Sequence, residues 1–81
     1  ISIKDYIEKL TFHILKLSSK KADVKLNIEP LNISIEHSIY IGIILNEMIT
    51  NSIKYAFSNY GFINITFKQM DNKDYKLIYY D

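Results

Sequence analysis

The stretch from Leu45 to Phe57 constrains the fold of this chain most strongly, because it reads as an amphipathic helix. At about 100° per residue, Asn51 lies about 40° from Glu47, and Lys54 lies about 20° from Glu47 on the other side. This pattern predicts a helix that presents a carboxylate, an amide and an ammonium group on one face. The opposite, core-facing side is predicted to carry Leu45, Met48, Ile49, Ile53 and Ala56.

The same helix is predicted to begin well upstream, and we expect it to span residues 35–57 with Ser34 as its N-cap. Its first half is apolar nearly all round, which predicts that neighbouring elements cover it on both sides. The apolar residues of that half are Ile39, Tyr40, Ile41, Ile43, Ile44 and Leu45.

A first helix is predicted over residues 4–17, where apolar residues recur at helical spacing. These are Ile3, Ile7, Leu10, Ile14 and Leu17. Ser2 is positioned to cap it, and Asp5 follows three residues later, where a capping-box acid belongs. Alternating apolar and polar residues predict a half-buried strand over 24–28, which Pro30 brings to an end.

Two further strands are predicted over residues 62–69 and 73–80, joined by a polar hairpin tip at 70–72. With 81 residues the chain makes one small domain. We therefore expect an α/β (α+β) two-layer sandwich, with the helices on one face of a mixed or antiparallel sheet.

The charged residues argue against nucleic acid as a partner. The formal net charge is +1, and all ten basic residues are lysines. Arginine supplies the bidentate contacts that read guanine and phosphate, so its absence argues against base readout. A Lys- and Tyr-rich strand can stack single-stranded bases. Because the chain has no excess of basic residues, we interpret the tyrosines of the C-terminal strand as packing residues. Cysteine is absent, which excludes disulfides and Cys-based zinc sites.

The polar face of the long helix has two readings. Glu47 and Asn51 can be a solvated pair one turn apart on an exposed helix. Alternatively, Asn51 offers an amide oxygen to Mg²⁺, a hard ligand for a hard cation, while Lys54 neutralises phosphate. Three mediocre helix formers in a row, Thr50, Asn51 and Ser52, favour the second reading, since each costs roughly half a kcal/mol relative to alanine.

One motif resembles the N-box of the sensor histidine kinases. It consists of Leu-Asn-Glu at residues 45–47, Asn51, and Lys-Tyr-Ala-Phe at residues 54–57. Their ATP-binding domain belongs to the superfamily of gyrase, mismatch-repair and chaperone ATPases, which shares only Glu-x-x-x-Asn here. The chain is most similar to the subgroup with Ile-Leu-Asn-Glu before the box and Lys-aromatic-Ala-Phe after it. The first helix, the strands and the final Tyr79-Tyr80-Asp81 follow in that subgroup's order.

The resemblance implies a domain that binds Mg²⁺ and ATP and transfers the γ-phosphoryl group to a histidine on a separate domain, for relay to a response regulator. In that family Asn51 holds Mg²⁺, and Glu47 acts as the base or orients the attacking group. Lys54 neutralises phosphate, and Tyr55 packs near the ribose or adenine. Asp81 accepts the adenine amino group.

The resemblance also sets limits. Neither His13 nor His37 matches the family's phosphoacceptor, and the glycines that should follow Asp81 lie beyond the chain. We therefore expect a cytoplasmic fragment of a larger protein. Any membrane attachment of that protein would use segments other than this chain. We expect the fragment to bind ATP weakly or not at all, and to self-associate around Leu77, Tyr79 and the long helix. The alternatives are an anti-sigma-factor type serine kinase, which shares Glu-x-x-x-Asn, and a degenerate non-catalytic module for dimerisation or regulation.

Overall fold

The computed structural model describes residues 1 to 81 and shows an α+β two-layer arrangement. Two helices pack on a three-stranded sheet of order β1-β2-β3. β1 and β2 are parallel, whereas β2 and β3 are antiparallel, so the sheet is mixed. The elements are α1 (Ile3–Lys16), β1 (Lys21–Ile28), α2 (Ile35–Asn51), a π turn (Ser52–Ala56), β2 (Tyr60–Gln69) and β3 (Tyr75–Tyr80).

Both predicted N-caps are confirmed. The Ser2 hydroxyl accepts a hydrogen bond from the backbone N–H of Asp5, and the Ser34 hydroxyl accepts one from the backbone N–H of His37. These bonds satisfy N–H groups that a helix start leaves unpaired. The predicted apolar stripe of α1 holds only in part, since Ile3 and Ile7 are fully buried but Leu17 is 77% exposed beyond the end of the helix.

β1 begins at Lys21, three residues before the predicted strand. Parallel pairing with β2 runs without interruption from Lys21 opposite Tyr60 to Ile28 opposite Phe67, and this long-range pairing recruits residues that read locally as a loop. The strand ends just before the Glu29-Pro30 pair, as predicted.

β3 begins at Tyr75, two residues later than predicted, because the hairpin tip is larger. Lys73 has a φ of 70°, a left-handed conformation that ends the extended chain. The backbone N–H of Met70 donates to the Asp74 carbonyl and closes the tip, and the Asn72 side chain accepts from the Asp74 N–H.

The core lies between the helices and one face of the sheet. β2 is its centre, because Ile63, Ile65 and Phe67 alternate toward the helices and are almost fully buried. No helix here combines the length and apolar character needed to cross a membrane. The buried apolar residues are Ile3, Ile7, Ile28, Ile33, Ile41, Leu45, Ile49, Phe57, Ile63, Ile65 and Phe67.

The prediction that the first half of α2 is covered on both sides is wrong. α1 and the sheet bury one side of the helix, but nothing packs on the other. Met48 and Ala56, predicted to face the core, are also exposed. The uncovered apolar side chains are Ile35, Ile39, Tyr40, Ile43 and Ile44, which are 45–66% exposed.

Candidate functional site

Packing of α2 fixes the direction in which its polar residues point. Leu45 and Ile49 are fully buried, one turn apart on the same face. Because side chains one turn apart share a helix face, Glu47 and Asn51 project away from the core, and both are exposed. The structure therefore presents a carboxylate and an amide together, one turn apart, near the C-terminal end of α2.

Lys54 and Tyr55 do not continue this α-helical face. The helix covers nearly its predicted span of 35–57, but α2 ends at Asn51 and the last turn, Ser52–Ala56, is a π turn. The backbone N–H of Phe57 donates to the Ser52 carbonyl over 2.8 Å, five residues back. A π turn is wider than an α turn, so the spacing of about 100° per residue does not apply to Lys54 and Tyr55. Both are exposed, Tyr55 at 82%.

Lys20 holds the π turn from outside the helix. Its ammonium group donates to the Ile53 carbonyl at 2.6 Å and to the Phe57 carbonyl at 3.1 Å. Carbonyls at a helix end lack partners within the helix, and a lysine can satisfy them. The sequence pattern does not single out Lys20, since its role depends on a contact across more than 30 residues.

Ser52 joins the end of α2 to the end of β3. Its side chain is 1% exposed, and its Oγ lies 2.6 Å from the Tyr79 hydroxyl and 2.8 Å from Asp81 Oδ2. Oγ also lies 3.1 Å from the Met48 carbonyl. A serine hydroxyl has one proton, so Oγ can donate to only one of these three oxygens at a time. This network brings the Asp81 carboxylate beside the residue that follows Asn51.

Tyr79 stays neutral in this network at ordinary pH. Burial raises its pKa above the usual value of 10.0, the Ser52 hydrogen bond opposes that rise, and the Asp81 carboxylate adds to it. Burial disfavours the charged phenolate, and so does a neighbouring negative charge. Tyr79 therefore adds no negative charge to the cluster of Ser52, Tyr79 and Asp81.

The candidate residues Glu47, Asn51, Lys54 and Asp81 are exposed and lie away from the two cavities beside β1 and α2. One cavity of about 840 Å³ runs between α1 and β1, and a hollow of about 200 Å³ separates α2 from β3. Neither is lined by Glu47, Asn51, Lys54 or Asp81. No three His, Cys, Asp or Glu side chains come together as a metal cluster. A cation at Asn51 would thus take most of its ligands from a bound phosphate group or from water.

The two histidines and the C-terminal tyrosines have packing or surface roles. His13 is exposed near the end of α1. His37 is exposed and meets the Tyr75 ring edge-on, with centroids 6.0 Å apart. Tyr75 also stacks on Phe67 at 5.5 Å, which agrees with the predicted strand packing, whereas Tyr80 is 65% exposed.

Comparison of the chain with protein-family models, with curated proteins and with solved structures returns no match.

Proposed function

We propose that this chain is part of a sensor histidine kinase, where it binds Mg²⁺ and ATP for transfer of the γ-phosphoryl group to a histidine on a separate domain. A response regulator would then receive the phosphoryl group. The observation that supports this most is the approach of Asp81 to α2. Ser52, next to Asn51, donates to a carboxylate 29 residues further along the chain.

Asn51 and Glu47 supply the chemistry expected at the phosphate end of a nucleotide. The Asn51 amide oxygen is a neutral hard ligand suited to Mg²⁺, and an exposed helix leaves room for the phosphate oxygens that complete its shell. Glu47, one turn earlier, can accept a proton from the attacking group or orient it. Lys54, exposed in the π turn, adds positive charge for the phosphates.

Asp81 supplies the chemistry expected at the adenine end. Its Oδ2 accepts from Ser52, which fixes the carboxylate and leaves Oδ1 to accept from an exocyclic amino group. The exposed Tyr55 ring offers an apolar face for the ribose or adenine. Because these groups lie on an open surface, we expect the chain itself to bind ATP weakly.

Asn51→Ala in a protein that carries this domain tests the proposal. We expect loss of autophosphorylation with the fold retained, since Asn51 is exposed and its removal leaves no cavity. Asn27→Ala is the matched control, because Asn27 is also an exposed asparagine but lies on β1, away from α2. Autophosphorylation that survives Asn51→Ala, or is lost equally in both variants, contradicts the site.

The chain alone can be tested by NMR titration with ATP and Mg²⁺. We expect fast-exchange shifts at Glu47, Asn51, Lys54 and Asp81, and their loss in Asn51→Ala. Shifts concentrated in the cavity between α1 and β1 would instead place the ligand elsewhere. Phosphoserine rather than phosphohistidine on the acceptor would favour the serine-kinase alternative, because the two products differ in acid stability.

A second candidate function follows from the uncovered side of α2. Tyr40 and Ile44 are exposed beside Leu77 on β3, and the candidate residues line neither the cavity beside β1 nor the hollow beside α2. Both features also suit a non-catalytic module that self-associates through apolar surface. Under this proposal Ile44→Lys abolishes association, as measured by sedimentation equilibrium, and ATP causes no shifts at Asn51.

A further inference from the structure

β1 is an open edge of the sheet with a defined set of unpaired backbone groups. The backbone N–H of Lys21 donates to the Asn59 carbonyl at 3.2 Å, and that of Glu29 donates to the Phe67 carbonyl at 2.9 Å. Backbone groups of successive strand residues point to opposite sides, so the odd-numbered residues of β1 bond to β2. The even-numbered residues therefore direct their N–H and C=O groups outward. These are Ala22, Val24, Leu26 and Ile28.

The side chains of β1 separate by charge. Ala22, Val24 and Leu26 lie on the helix side, where they line the 840 Å³ cavity below α1, which Lys21 and Asp23 also border. Lys21, Asp23, Lys25 and Asn27 lie on the opposite face, and all are exposed. The β1 edge thus has apolar side chains on its helix-side face. On the opposite face its side chains are, in order along the strand, positive, negative, positive and uncharged.

We propose that the β1 edge pairs with β1 of a second copy of this chain, antiparallel about a two-fold axis at Val24. In this register the two Val24 residues face each other, and each Ala22 faces Leu26 of the second copy. All of these residues have outward-pointing backbone groups, so each opposed pair exchanges two hydrogen bonds. The sheets of the two copies then join into one sheet of six strands.

Charge selects this register. It places Asp23 of each copy directly opposite Lys25 of the other, at non-hydrogen-bonded positions where side chains are closest. Two neighbouring registers also keep the helix sides of both copies on the same face of the joined sheet. One of them places Asp23 opposite Asp23 and Lys21 opposite Lys25 of the other copy. The other sets Lys25 against Lys25. Like charges directly opposite are destabilising, so the register centred on Val24 is favoured over both of its neighbours.

The cavity beside β1 provides the apolar part of the interface. Phe12 is 70% exposed and lines the cavity with Val24, which is 38% exposed. A two-fold axis at Val24 joins the cavities of the two copies on the helix side, so both side chains lose contact with water. The β3 edge offers no comparable match, since pairing it with itself about Ile78 sets Lys76 against the uncharged Tyr80. The proposal is independent of the proposed function.

Sedimentation equilibrium from micromolar to sub-millimolar concentration tests the proposal. We expect the mass to rise with concentration from 9.6 kDa toward twice that value. Lys25→Asp turns two attractive pairs into repulsive ones and should weaken dimerisation roughly tenfold. Adding Asp23→Lys recreates both pairs with their signs exchanged and should restore dimerisation. The single variant leaves Asp23 in place because Asp23 also forms a hydrogen bond that raises the pKa of Tyr60.

Val24→Pro tests the backbone pairing separately. Its N–H points outward, so proline should remove hydrogen bonds between copies without breaking the β1–β2 ladder, and circular dichroism should stay native. Lys76→Asp on the β3 edge is the matched charge control and should leave dimerisation unchanged. A chain that stays monomeric throughout overturns the proposal. So does a dimer that is indifferent to Lys25→Asp, or one that folded Lys76→Asp disrupts.

Discussion

The two flanks of α2 differ in how closely they are packed. On the α1 flank, a Cβ added at Gly42 would overlap the Tyr6 hydroxyl oxygen, so the two helices are closely packed at this point. On the β3 flank, Tyr40 is 66% exposed and Ile44 is 45% exposed above a hollow. One helix thus has a closed flank and an open flank.

This difference separates what holds the fold from what is free to bind. The closed flank depends on shape, and close-packed contacts tolerate little change in volume. The open flank carries the candidate polar groups and ends at the Ser52, Tyr79 and Asp81 cluster. Substitutions on the closed flank should therefore change stability, and those on the open flank should mainly change binding.

Leu45→Ala should have the largest effect on stability. Leu45 is fully buried, so its truncation should lower the free energy of unfolding by about 2–5 kcal/mol through lost burial and a residual cavity. The neighbouring Ile44→Ala, on the open flank, should cost well below this value. Urea denaturation of both variants measures the two changes in the free energy of unfolding. Equal changes would contradict the difference in packing between the two flanks.

The sequence predicted those parts of the fold that local pattern determines. The caps at Ser2 and Ser34 and the burial of Leu45 and Ile49 follow from residue type and helical spacing. The two-layer arrangement follows from the order of the elements. These features depend on residues that are close together in the sequence, so residue type and helical periodicity are enough to predict them.

The features that the sequence did not predict depend on contacts between distant residues. The π turn is held by Lys20 across more than 30 residues, and β1 is extended by its pairing with β2. The prediction that both sides of the first half of α2 are covered is wrong, because apolar residues on a helix do not show by themselves that another element packs on them. Periodicity alone gave no reason to bring Asp81 to α2, and only the family resemblance singled it out.

Gly42→Ala should have the next largest effect, about 1–3 kcal/mol of destabilisation from overpacking the closed flank. The nearest atom is the Tyr6 hydroxyl oxygen, and the next, Tyr6 Cζ, lies at 3.0 Å. Tyr6→Phe removes the hydroxyl, so the double variant should regain part of the lost stability. A double-mutant cycle measured by thermal or urea unfolding checks this. Additive effects would show that Tyr6 is not what limits the space.

Ser52→Ala should cost about 1 kcal/mol, because it leaves Tyr79 and Asp81 without a shared hydrogen-bond partner. It also removes the contact that lowers the pKa of Tyr79, so that pKa should rise further. Since the folded-state pKa is already raised, the contribution of Tyr79 to stability is fully present below pH 10.0 and is lost as pH rises through the folded-state pKa. Absorbance titration of the phenolate measures both changes. Asp81→Asn should shift the pKa of Tyr79 in the opposite direction.

Asn51→Ala should have the smallest effect on stability and the clearest effect on the open flank. Asn51 is exposed and its side chain fills no space in the core, so its loss opens no cavity. Alanine is the better helix former by about 0.7 kcal/mol or less, so the free energy of unfolding should stay level or rise slightly. The same change should erase the ATP- and Mg²⁺-dependent NMR shifts, because it removes the neutral oxygen offered to the cation. A clear loss of stability would mean that Asn51 supports the fold, and the open flank would then not be free to bind.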